Sequence, residues 1–91
     1  MTDSDARIDD KVERCYRELL GAPRDQPIDM RRRLVEDDGF SSLQLVSLVT
    51  TVCDETGLPL TVLTEQDIAR MKTANDIVAI IRTALEAGRT A

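Results

Sequence analysis

Apolar residues recur at intervals of three and four along most of this chain, and nowhere does the pattern require a strand. Ile8, Val12, Cys15, Tyr16 and Leu19 form the first series, with acids and arginines between them. That spacing makes one stripe on a helix of about four turns. The helix is expected from about residue 4 to residue 20, capped at Asp3 or Ser4 and ended by Gly21 and Pro23.

A second series, Leu45, Leu48, Val49 and Val52, is widened by Val46 and Cys53. The β-branched run Val49-Thr50-Thr51-Val52 favours a strand. The adjacent apolar pairs Leu45-Val46 and Leu48-Val49 break alternation, so a helix is expected from Ser42 to about Thr56, stopped by Gly57 and Pro59. Thr64-Glu65-Gln66-Asp67 reads as a capping box opening a short helix that brings Ile68 and Met71 together. Thr73-Ala74-Asn75-Asp76 repeats the signal, and Ala74, Ile77, Val78, Ile81 and Leu85 carry helical spacing to about Ala87, with Gly88 as the stop. Residues 21–41 hold Gly21, Pro23, Pro27 and Gly39 and form a connection longer than compact domains usually tolerate. Ile28, Met30, Leu34 and Val35 are expected to pin it to the core. Arg31-Arg32-Arg33 is expected to be a solvated turn paired with Glu36, Asp37 and Asp38. The expected architecture is all-α: one domain over residues 1–91, with a core from about 8 to 87. It is a small four-helix bundle with a long first loop and a short third helix.

Composition then removes whole classes of function. The 91 residues include 12 bases and 17 acids, a net charge of −5, which argues against nucleic acid as a partner. Histidine is absent, so the commonest general base and metal ligand is missing. Tyr16 and Phe40 are the only aromatic residues, too few for a base-stacking platform. No apolar run reaches the roughly 20 residues of a membrane span, so no membrane association is expected. Cys15 and Cys53 sit among apolar residues and read as core thiols, and with an acidic N-terminus they point to the cytoplasm. Residues 42–60 carry Asp54 and Glu55 but no Lys or Arg.

Ser41 and Gln44 form a Ser-x-x-Gln capping box, which makes Ser41 the N-cap and Ser42 the first helical residue. The Ser42 hydroxyl is then spare, at a helix N-terminus that favours phosphate. Local chemistry leaves two readings: a tolerated small polar residue, or the attachment point of a phosphate-bearing group.

The order Gly39-Phe40-Ser41-Ser42-Leu43, then Val46, Leu48-Val49, Val52, Glu55, Gly57 and Leu58, resembles acyl carrier proteins around their Gly-x-Asp-Ser-Leu motif. The resemblance continues through Leu60, Ile68 to Met71 and the Thr73 helix start, so it covers about residues 8–85. It implies a non-enzymatic, monomeric carrier whose Ser42 is esterified by a phosphopantetheinyl transferase with the 4′-phosphopantetheine of coenzyme A. The arm's thiol would hold acyl groups as thioesters for loading and processing enzymes such as an acyltransferase or a ketosynthase. Partner recognition is implied for Ser41, Leu43, Gln44, Val46, Ser47, Asp54 and Glu55. No metal site is expected.

Four departures from the family pattern stand out: Ser41 for the motif aspartate, Asp38 for an apolar residue, Ser47 for an acid on the recognition helix, and Thr56 for an aromatic before Gly57. They favour a carrier of a specialised, polyketide-like pathway over the fatty-acid one. Two other readings compete: a peptidyl carrier for aminoacyl groups, and a helical adaptor that has lost the arm.

Overall fold

The structure is a computed structural model that describes residues 3–23 and 25–90, with side chains for 8–23 and 25–87. It is all-α: α1 (Asp3–Leu20), α2 (Ser42–Thr56), a 3₁₀ turn (Leu60–Val62), α3 (Glu65–Ala69) and α4 (Ala74–Thr90). Among the described residues there is no named strand, only an isolated antiparallel bridge between Arg33 and Thr73.

The apolar stripes meet in one core. Ile8, Val12, Cys15 and Tyr16 of α1 are buried together with Leu48, Val49, Val52 and Cys53 of α2 and Ala74, Ile77, Val78 and Ile81 of α4. α1 packs against both α2 and α4. Cys15 and Cys53 are free, buried thiols. Polar pairs seal the seams: Lys11 donates to the Glu55 carbonyl at 2.6 Å, Arg14 pairs with the Glu55 carboxylate, and Arg82 reaches Asp9 at 3.2 Å.

Helix ends follow the expected chemistry with two exceptions. Gly57 adopts φ 76°, the left-handed conformation that glycine takes without a Cβ clash, and closes α2. The reciprocal box at Thr64 and Asp67 starts α3, and that at Thr73 and Asp76 starts α4. The Asp67 carboxyl is held below the usual range, first by the Thr64 backbone N–H and then by Arg70. α4, however, continues through Gly88 to Thr90. A glycine inside a helix costs only about 1 kcal/mol relative to alanine, too little to stop one by itself. The cap expected at Asp3 or Ser4 also fails, since both lie inside α1 and what precedes Asp3 is outside the described residues.

The connection between α1 and α2 is stitched down rather than loose. Leu34 donates its N–H to the Lys72 carbonyl at 2.8 Å, and Asn75 donates to the Met30 carbonyl at 3.1 Å. Leu34 is fully buried, and Ile28 and Met30 pack on the core, but Val35 is 53% exposed and does not pin the loop as expected. Two of the three arginines pair with the expected acids, Arg32 with Asp38 and Arg33 with Glu36, while Arg31 turns back to Asp29 and the Asp37 carboxylate accepts only the Arg33 backbone N–H.

Asp38 is buried and held by two polar partners. Its side chain is 2% exposed, accepts Arg32 Nε at 2.7 Å and accepts the Tyr16 hydroxyl, while Leu34 supplies the apolar packing. Burial first, and the bond to Asp38 second, hold the Tyr16 phenol well above its usual range, and burial raises the Cys15 and Cys53 thiols. A folded pKa raised above the unfolded one gives stability that is full below the unfolded value and lost as pH rises above it. Unfolding free energy is therefore expected to fall from about pH 9 upward, first through the thiols and then the phenol. In denaturant titrations, Tyr16→Phe should flatten the part above about pH 10. An unchanged alkaline limb in that variant would contradict the assignment.

Candidate functional site

The site is the start of α2, set by the residues just before it. Gly39 has φ 72° and turns the chain out of the loop, and its N–H donates to the Val35 carbonyl at 3.1 Å. Phe40 then turns inward. It is 5% exposed and meets the Tyr16 ring edge to face, with centroids 6.0 Å apart at 83°. Phe40 is therefore a core anchor and offers nothing to a partner. Phe40 and Asp38 both meet Tyr16, which ties the end of the loop to α1 just before Ser41.

Ser41 is the N-cap, extended at φ −77° and ψ 167°. Its hydroxyl accepts the Gln44 N–H at 3.1 Å, and the Gln44 side chain accepts the Ser41 N–H at 2.9 Å. The first intrahelical bond runs from Leu45 N–H to the Ser41 carbonyl at 3.0 Å. The N–H groups of Ser42 and Leu43 are the ones that helix geometry leaves without an internal acceptor. Ser42 is exposed, is the first residue of α2, and its hydroxyl takes no part in the cap. Ser41 and Gln44 are thus committed to holding the helix end, and Ser42 is free to react.

Ser42 opens on a pocket of about 450 Å³ between the loop, α2 and α3. Its walls include Val35, Leu45, Val46, Ile68, Ala69 and Met71, with Arg33, Glu36, Glu65 and Lys72 at charged positions. The expected pairing of Ile68 with Met71 is realised here. The α3 side and Val35 carry no local sequence signal linking them to Ser42; only the caps at Thr64 and Thr73 hint that a short element is held in place.

The remaining candidates divide. Leu43 is 79% exposed and Val46 42%, both near Ser42. Ser47 is exposed but borders a small hollow between α1 and α2 with Cys15 and Leu19. Asp54 is exposed, twelve residues beyond Ser42, about 18 Å along the helix. Glu55 is turned to Arg14 of α1, so it is engaged internally. Thr56 donates to the Val52 and Cys53 carbonyls at 2.9 and 3.2 Å in the last turn of α2.

The base-free stretch is longer than residues 42–60. From Leu34 to Ala69 there are seven acids and no Lys or Arg. Cations from outside pair with four of them: Glu36 with Arg33, Asp38 with Arg32, Glu55 with Arg14, and Asp67 with Arg70. Asp54 and Glu65 are left, with Asp37, whose carboxylate accepts the Arg33 backbone N–H. Among the described residues no three His, Cys, Asp or Glu side chains group to hold a metal ion, and no helix is long and apolar enough to cross a membrane.

No protein-family model matches this chain, and no curated protein or solved structure matches it.

Proposed function

We propose that the protein is an acyl carrier that bears 4′-phosphopantetheine on Ser42 and delivers thioester-bound intermediates to partner enzymes. One observation supports the reading above the others. Of two adjacent serines, Ser41 is consumed by the cap and Ser42 is left exposed, with its hydroxyl free, at the N-terminus of a fifteen-residue helix. The surroundings fit the group. The backbone N–H groups of Ser42 and Leu43 can hold its phosphate, where the helix dipole favours negative charge, and the pocket beside them has room for part of the arm. When bound, the arm supplies a thiol that carries acyl groups as thioesters.

In loading, the Ser42 oxygen forms the new phosphodiester bond as the pyrophosphate link of coenzyme A breaks. The nucleotide leaves, and the serine proton goes to a base of the phosphopantetheinyl transferase. The chain brings no histidine to that step. The absence of charge on the exposed face of the first three turns of α2 supports a specialised pathway rather than housekeeping fatty-acid synthesis.

Incubation with coenzyme A and a broad-specificity transferase, followed by intact mass, tests the proposal. One phosphopantetheine per chain is expected. No adduct with any such enzyme would remove the reading and leave an arm-less adaptor. Parallel loading with acyl-coenzyme A and with amino acids separates acyl from peptidyl carriage.

A further inference from the structure

The face around Ser42 has an unusual composition for a chain of net charge −5. Over the first three turns of α2 the exposed residues are Ser42, Leu43, Gln44, Val46, Ser47, Thr50 and Thr51, and none is charged. Leu43 is 79% exposed, Val46 42% and Val35 53%, and Val35 and Val46 line the same pocket as Ser42. Isolated exposed apolar side chains are ordinary, but three around one free hydroxyl form a patch. Charges at the pocket cancel: Arg33 is paired with Glu36 at 2.5 Å, leaving one cation, Lys72, and one anion, Glu65.

We infer that the transferase loading Ser42 docks by burying the uncharged face made by Leu43, Val46 and Val35, without electrostatic steering. This rests on the carrier reading, which also names the occupant. An enzyme forming a bond to Ser42 Oγ must place its active site on that oxygen. A specific interface covers about 800 Å² per partner, so the neighbours of Ser42 are necessarily beneath it. Steering needs a field of one sign, and here the nearest unpaired charge on α2 is Asp54, about 18 Å along the helix. Removal of Leu43 from water is the largest apolar gain the contact offers. The transferase surface that fits is an apolar cleft, not a basic rail.

The test is loading by a broad-specificity transferase with coenzyme A, read as kcat/KM by intact mass, at about 50 and 500 mM NaCl. The wild type is expected to change by less than about twofold between the two salts, where a steered interface changes by about tenfold or more. Leu43→Ala should lower kcat/KM by about tenfold, through KM. Val62→Ala, exposed in a different hollow beside Ile80, should load as the wild type does. Circular dichroism of each variant separates docking from folding. A steep salt dependence, or wild-type loading of Leu43→Ala, overturns the docking inference alone. Absence of any adduct on the wild type overturns the carrier reading, and this inference with it.

Discussion

Ser42→Ala is expected to abolish attachment of the arm while leaving the fold intact, and Ser41→Ala to do the reverse. The two hydroxyls are neighbours in sequence but have separate tasks. The Ser41 oxygen accepts the Gln44 N–H, and its loss should cost about 1 kcal/mol, the usual value of an N-cap. For a domain of this size that lowers the melting temperature by about 4–8 °C. Ser41→Ala should still become loaded, because the Ser42 hydroxyl remains and the Gln44 side chain still accepts the backbone N–H of residue 41. In Ser42→Ala the capping box is untouched and alanine suits the first turn, so stability should stay within about 0.5 kcal/mol. Its mass should show no adduct under conditions that load the wild type fully. An adduct on Ser42→Ala would move the site, with Ser41 the first place to look by peptide mapping.

The second large effect concerns stability. Leu34→Ala should cost about 3 kcal/mol in chemical denaturation, the range for truncating a fully buried leucine. Val35→Ala, one residue on, should be nearly neutral, within about 0.5 kcal/mol. Leu34 is 0% exposed and Val35 53%. The contrast is sharp because connecting segments usually tolerate substitution, whereas this one carries a core residue. Comparable losses in both variants would mean that the loop is anchored elsewhere than at Leu34.

These two pairs also mark what could be read from the chain alone. Each capping box was legible because N-cap chemistry is local: a hydroxyl and a carboxyl or amide three residues apart suffice. The three stripes were legible for the same reason, since one face of a helix is visible from its own spacing. The split between Leu34 and Val35 was not, because it depends on which side of an irregular segment enters a core built by residues far along the sequence. The inward turn of Phe40 was not legible either, because its partner Tyr16 lies twenty-four residues away. Gly88 looked like a stop because glycine marks helix ends only when the next turn fails to form. The recognition residues were read off a linear motif, so Glu55 was included; only the packing of α1 shows that Arg14 holds it. The base-free stretch overstates the local negative field because charge counts ignore pairing, and arginines outside the stretch pair with four of its seven acids.

The bonds from Leu34 to Lys72 and from Asn75 to Met30 have a consequence for how the molecule opens. They make the α1–α2 connection and the α3–α4 link a single cooperative unit, in which neither strand of the stitch can fray alone. A fluctuation that pulls the α3–α4 link off the loop breaks the bond at Leu34, five residues before Gly39 and close to the cap at Ser41. The serine's setting is thus insured by the far end of the chain, and widening of the pocket on the α3 side is coupled to movement of the hydroxyl that opens onto it.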